Sequence, residues 1–503
     1  MKRRRIAAFA AALIVILCSC SANDTSNKPD NQQSNTSSTE TLEIALPFSA
    51  TDPLNPYVAV TEVNQHLSLL MYDPLIKLSA DFEPVGCLAE TVEYAEKTLT
   101  VTLKKGVTFT DGSALTAGDV VYSIKQALNS ESKYKTQLSA VKSYSASDSM
   151  TVVITLTEND PYFANALDFP IFKSGTAETK DIDDRIVPPI GCGRYTFDKT
   201  DGYKLRANKN YHGTAPRYSY IELIDTPDDE SLTYTTGVGG LDMAYSDLSD
   251  NSVPKMSGAK SKICLTNFVF LGLNLKNWLL SKADFRMALS DAISRNDICT
   301  SAYFNFADPA NGIYPPSWAQ AGEFQHIDAE QNIEQAVAYL EQLGYNSKDA
   351  DGYLTDKSGQ RLTLRLIYNE ENSSRKYAAK LIVQHLKKVG IDVKAEGIAS
   401  FEEYQSLVRS SSYDMYIGEI KLGKSLDLRP VFSSDSAGSL TGTLTAEAVN
   451  TFYNGESDLS TIVSCFSSEM PLVPLCYRSG VVVCSDKINN LGESCISDIY
   501  ACL

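Results

Sequence analysis

Hydrophobic and polar positions alternate at two periods along this chain. Thr98 to Leu103 reads TLTVTL and Thr151 to Thr157 reads TVVITLT. Strand side chains point alternately to opposite faces, so this period of two predicts two half-buried strands. Leu42-Glu43-Ile44-Ala45-Leu46 predicts a short apolar strand, and turn-forming Thr51-Asp52-Pro53-Leu54-Asn55-Pro56 follows it. Between the two alternating strands, Thr116-Ala117-Gly118-Asp119 leads into VVYSIKQAL, whose apolar spacing fits a helix with a polar start. The same spacing predicts helices over 63–71, 284–293, 333–343, 375–389 and 401–408, with strands over 362–367 and 391–395. Strands and helices are interleaved throughout, which predicts α/β or α+β lobes.

The two ends of the first forty residues break this pattern. A basic start, Lys2-Arg3-Arg4-Arg5, precedes an apolar run from Ile6 to Leu17 and then Leu17-Cys18-Ser19-Cys20. The run is shorter than the ~20 apolar residues a bilayer span needs, so residues 1–19 read as a secretory signal. Ser21 to Glu40 contains no aromatic residue and no aliphatic one larger than Ala22. Such a segment buries nothing and reads as a solvated tether, with an end-to-end distance of about 25 Å for a flexible coil of that length.

Composition narrows the function. A chain of 503 residues exceeds what one core fills, and 43% hydrophobic content supplies more than one. The formal charge of -17 becomes -21 once the four basic residues of the signal are removed, which disfavours nucleic acid as a partner. Eleven cysteines, nine of them outside the signal region, are scattered through a chain too large to need staples and read mostly as buried thiols. His66, His212, His326 and His385 lie far apart without HExxH or CxxC partners, so no metal site and no cofactor are expected. No G-x-S-x-G elbow and no GxxxxGK[ST] loop exists, and Gly191-Cys192-Gly193 reads as a turn before a strand rather than a phosphate cradle. The acidic pairs Asp183-Asp184, Asp228-Asp229 and Glu402-Glu403 read as loop or helix-start charges, so catalytic residues are not expected and the chain does not read as an enzyme.

Several segments in order carry a resemblance. They are Asp52 to Pro56, Met71-Tyr72-Asp73-Pro74-Leu75-Ile76, Leu88-Ala89-Glu90, and the block Leu99 to Ile124, LTVTLKKGVTFTDGSALTAGDVVYSI. Pro189 to Tyr195, Arg206 to Tyr211, Gly213 to Pro216, Leu241 to Met243, Leu271 to Asn274, Asp284 to Arg295, Val389 to Val393 and Met470 to Leu475 follow in register. Together they resemble the extracellular solute-binding proteins of family 5, the peptide, nickel and oligosaccharide receptors of bacterial ABC importers. Leu17-Cys18-Ser19-Cys20 likewise resembles a lipobox, a resemblance that implies a lipidated Cys20 and a protein outside the cytoplasm, anchored by lipid to the outer face of the cell membrane or in the periplasm.

The resemblance implies an α/β, two-lobed fold of the periplasmic-binding-protein type, type II and cluster C-like, with an extra subdomain in the first lobe. Residues 20–40 would then be the lipidated cysteine and tether, 41–75, 180–265 and 476–503 lobe I, 76–179 the extra subdomain, and 266–475 lobe II. The implied function is capture of a small solute, an oligopeptide or related molecule, by hinge closure, and its delivery to a permease and ATPase complex by a monomer. A binding-fold sensor or scaffold and a lipid-anchored hydrolase are the alternatives. Peptide-binding relatives pair the ligand amino terminus with an aspartate in a "G-W-x-x-D-Y" stretch. Here Gly418 matches, while Glu419 replaces the tryptophan and the aspartate position is taken by an apolar residue or by a shifted carboxylate in the region that continues to Asp427. Either Glu419 replaces that carboxylate and Lys421 grips an anionic group, or the two are a surface pair on one strand face. Phe48, Tyr245, Phe268 and Phe270 fall where relatives place cleft aromatics.

Overall fold

The computed structural model describes residues 43–177, 187–198, 200, 202–249, 252–433, 440–488 and 498–503. The expected signal, the tether and Cys20 lie outside the described residues, as does the pair Asp183-Asp184.

The alternating segments form the sheet that their pattern demands. Thr98–Leu103 and Thr151–Leu156 pair antiparallel at the centre of a four-stranded sheet, flanked by Ala89–Ala95 and Val141–Ala146. Leu99, Val101, Leu103, Val152, Ile154 and Leu156 are buried on one face, while the threonines and Val153 on the other are half-buried. Helix Ala117–Asn129 begins where the polar start was read: the Asp119 carboxylate accepts from Thr116 N at 2.9 Å and from Thr116 Oγ1 at 2.8 Å. This reciprocal cap satisfies donors that the first turn leaves open.

A second four-stranded sheet has the order Glu43–Phe48, Tyr220–Asp225, Lys204–Ala207 and Tyr195–Asp198. Gly193, just before the last of these, packs its backbone on the end of helix Glu62–Met71, donating to Met71 O at 3.0 Å. A Cβ at Gly193 would sit 2.5 Å from Met71 C, so only glycine permits the approach.

The third sheet holds seven strands among the described residues: Met243–Ser246, Leu472–Cys484, Ala259–Leu273, Met415–Lys421, Thr363–Asn369 and Asp392–Ile398, with Ala307–Pro309 beside Leu472–Cys484. The strands 259–273 and 472–484 escape a period-of-two reading. All thirteen residues of Leu472–Cys484 are buried, because the strand is covered on both faces and carries no polar alternation.

Two large cores result. One gathers Ile44, Leu67, Val101, Ile154, Tyr195, Ile221, Val482 and Cys484; the other gathers Phe82, Phe268, Phe285, Ile382, Met415, Phe466 and Tyr477. Leu472–Cys484 runs from the second core into the first, with Leu472 to Tyr477 in one and Val482 and Cys484 in the other.

Candidate functional site

The segment carrying Gly418, Glu419 and Lys421 is the strand Met415–Lys421, paired antiparallel to Ala259–Leu273 with Glu419 opposite Val269 and Lys421 opposite Asn267. Gly418 is bare because the Phe270 ring lies over it, with its Cζ 2.5 Å from where a Cβ would stand. Glu419 is not a free carboxylate. Its Oε1 accepts from Arg478 Nη1 at 2.6 Å and Asn267 Nδ2 at 2.8 Å, and its Oε2 accepts from Arg375 Nη2 at 2.9 Å. Burial acts to raise its pKa, but Arg478 and Arg375 outweigh burial and hold the carboxylate below its ordinary range.

Each arginine is placed by its own element. Arg375 stands on the first turn of helix Ser373–Lys388, where Asn372 accepts from its backbone N–H at 2.9 Å. Arg478 interrupts the apolar strand Leu472–Cys484 and also donates through Nη2 to Asp247 O at 2.5 Å. The Glu419 pair therefore joins the second core to the stretch after Met243–Ser246.

Tyr245 sits in the strand Met243–Ser246 itself, edge-on to His66 at 4.7 Å between ring centroids. His66 belongs to helix Glu62–Met71, which buried Asn64 pins to the turn before it: Asn64 Nδ2 donates to Ser49 O at 2.9 Å and to Asp52 O at 2.8 Å. Burial first, then the charges of Lys133 and Lys421, lower the His66 pKa to about 3, so its imidazole is neutral at physiological pH. Lys421 is exposed, and its charge also reaches Glu62 at the start of the same helix. The charge of Lys421 therefore acts on both Glu62 and His66, one turn apart on that helix.

The structure distributes the six expected binding residues unequally. Phe270 and Glu419 line one cavity of about 400 Å³, together with Arg375, Tyr404 and Tyr416. Tyr245 lines another of about 160 Å³ with Glu62, His66, Thr226 and Tyr500. Lys421 is exposed on the side of Glu62 and His66. Phe48 is buried in the first core against Tyr203, at 4.8 Å between centroids, and Phe268 is buried in the second, stacked on Tyr477 at 5.0 Å. A cavity of about 320 Å³ near Tyr94, Tyr162 and Trp318 lies away from these charges.

Glu62, His66, Arg375 and Arg478 were not singled out by sequence reasoning. Arg478 did leave a signal, as one charged residue inside the run LVPLCYRSGVVVC. The other three sit on ordinary amphipathic helices, and only the packing brings them to the site.

The remaining polar groups have structural work. Asp228 caps helix Asp229–Gly237 by accepting from Ser231 N at 2.8 Å, and Glu402 and Glu403 lie in the first turn of helix Phe401–Arg409. His385 meets Asp297 at 3.1 Å. Asp73, Cys87 and His212 bring one potential ligand atom each within 4.8 Å of one another. Lys77 Nζ lies 3.7 Å from Asp73 Oδ1, and the charges of Lys77 and Arg194 both act on that carboxylate. His212 Nε2 also meets Asp73 Oδ2 at 2.7 Å, so these groups form a buried ion-pair network.

A family profile described as bacterial extracellular solute-binding proteins, family 5 middle, matches residues 83–432. The oligopeptide-binding protein AppA of Bacillus subtilis is 25% identical over 418 residues, covering 79% of this chain and 77% of its own. The nickel-binding periplasmic protein of Escherichia coli is 24% identical over 370 residues, covering 69% of each. Among solved structures, a nickel ABC transporter protein from Bacillus halodurans superposes with a TM-score of 0.73 at 18% identity, over 91% of this chain and 98% of that one. The unliganded open form of MppA, a periplasmic murein tripeptide binding protein, gives 0.72 at 16% identity over 91% and 97%. Proteins of this family act outside the cytoplasm, and among the described residues no helix is long and apolar enough to cross a membrane. The match over residues 83–432, with relatives named for oligopeptide and nickel binding, places this chain in the bacterial extracellular solute-binding proteins of family 5, substrate-binding proteins of ABC importers rather than enzymes.

Proposed function

We propose that this chain captures a small solute carrying an anionic group, a short peptide or a related charged molecule, between two lobes built on its two cores. The observation that carries this reading is the division of labour on one strand. Both oxygens of Glu419 are already engaged by the cations Arg375 and Arg478 and by Asn267, which neutralise the charge a ligand amine would need, whereas Lys421 is exposed and its charge acts on Glu62 and His66. A solute contacting both sides would favour the closed arrangement by its differential affinity, and moving an equilibrium from 1:99 to 99:1 takes about 5.5 kcal/mol. The relatives named for oligopeptides and for nickel bracket the chemistry.

On this reading lobe I comprises 41–75, 180–265 and 476–503, the extra subdomain 76–179 and lobe II 266–475. A lipid on Cys20 holds the body to the outer face of the membrane through the 21–40 tether, and a monomer hands its solute to the permease. Native mass spectrometry of the freshly purified protein tests the ligand class. A retained molecule bearing a carboxylate or other anionic group is expected, and a retained neutral or purely cationic molecule would sink the reading.

A further inference from the structure

Both ends of the buried stretch 476–484 carry a pair of thiols. Cys476 is hydrogen-bonded to Cys299, and both are buried. Cys484, also buried, is hydrogen-bonded to Cys502, which is only half-buried. The two pairs differ in access: solvent reaches the second pair and is kept from the first.

The second pair is held in place by contacts that involve neither sulfur. Asp498 accepts from Arg194 Nη2 at 3.0 Å on both carboxylate oxygens and from Lys77 Nζ at 3.1 Å, while Arg194 Nη1 donates to Tyr500 O at 2.9 Å. Leu503 N donates to Tyr500 O at 2.9 Å, turning the segment back so that Cys502 meets the end of the strand. Cys484 and Cys502 both pack in the first core. On the strand side, Cys484 is fixed opposite Met243 and Ala259 in the sheet.

We propose that Cys484 and Cys502 are a disulfide site, closed outside the cytoplasm by thiol–disulfide exchange with a donor disulfide such as oxidised glutathione or a disulfide-carrying protein. Cys502 is the attacking group. It is the more accessible thiol, and the hydrogen bond from Cys484 holds its pKa below the ordinary thiol value. Its thiolate attacks one donor sulfur, the donor S–S bond breaks, and one donor thiolate leaves a mixed disulfide. Cys484 then loses its proton and displaces the second donor thiolate. Two protons and two electrons pass to the donor, which ends as two thiols.

The bond has a consequence for the solute site. Tyr500, two residues before Cys502, lines the cavity that holds Glu62, His66 and Tyr245. Closing the bond fixes that wall covalently to the strand that also carries Arg478.

The test takes the full chain, fully reduced, and equilibrates it with oxidised glutathione before trapping free thiols by alkylation. Trypsin together with a protease cutting before aspartate releases 479–485 and 498–503, which separates Cys502 from Cys495. These two peptides are expected as one cross-linked species, with a melting temperature about 2–5 °C above that of the reduced protein. Cys502→Ser is expected to show neither the cross-link nor the rise. Alkylation of both Cys484 and Cys502 after equilibration, or a cross-link from Cys484 to Cys495 instead, would overturn the proposal.

Discussion

Glu419 and Arg478 meet at 2.6 Å across two strands of one sheet, and the other arm of Arg478 reaches Asp247 O at 2.5 Å. Side chains of both are under a tenth exposed. Removing one member of a buried, hydrogen-bonded pair leaves the other charge desolvated and uncompensated, which costs far more than the net worth of the pair. Glu419→Ala should therefore lower the unfolding free energy by about 3–5 kcal/mol, since it strands two arginines. Urea unfolding measures this, and a loss well under 1 kcal/mol would show that the arginines find other partners.

His66 supplies a pH signature. Its folded pKa is lowered to about 3, below its ordinary value of 6.5, chiefly by burial. Below pH 6.5 the unfolded chain takes up a proton that the folded protein does not, so stability falls as pH drops from about 6.5 towards 3. Each proton of difference gives a slope of about 1.4 kcal/mol per pH unit. His66→Gln should flatten the loss of stability between pH 6 and 4, and an unchanged slope in chemical unfolding across that window would refute this account.

Lys421 is exposed, so Lys421→Ala should leave the urea midpoint unchanged. A charge-assisted hydrogen bond to a ligand is worth about 1.5–3 kcal/mol, equivalent to roughly ten- to a hundredfold in affinity. Thermal-shift titration with short peptides should show that loss in the variant. Equal affinity in both proteins would remove Lys421 from the site.

Gly193→Ala places a methyl group against the Met71 backbone, 2.5 Å from its carbonyl carbon. Backbone cannot swing aside as a flexible side chain can, so the variant should lose about 2 kcal/mol or more. Differential scanning calorimetry reads the effect, and a neutral substitution would show that helix Glu62–Met71 shifts without penalty.

Much of the fold was legible because its signals are local. TLTVTL announced its half-buried strand, Thr116 and Asp119 announced a helix start, and helices near 284–293, 333–343, 375–389 and 401–408 were displaced by only a few residues at either end. The strands Ala259–Leu273 and Leu472–Cys484 were not legible as strands: the second is buried throughout and the first is buried continuously from Phe268 onwards, so neither shows the sustained alternation that periodicity detects. Nor did residue type distinguish cleft aromatics from core ones. Phe268 and Phe270 are two residues apart on one strand, yet Phe270 borders the cavity of about 400 Å³ while Phe268 is stacked on Tyr477.

The sequence by itself determined the exclusions and the family likeness: no nucleophile elbow, no phosphate loop, and an ordered set of turn and helix-start motifs from Asp52 to Leu475. Those features depend on neighbours within a few residues, so a linear reading reaches them. The site was decided only in three dimensions. Glu419 has the composition of a ligand-binding carboxylate, but residues 44 and 59 positions away, Arg375 and Arg478, consume its charge. Coulomb energy depends on distance in space and on burial, and sequence separation records neither.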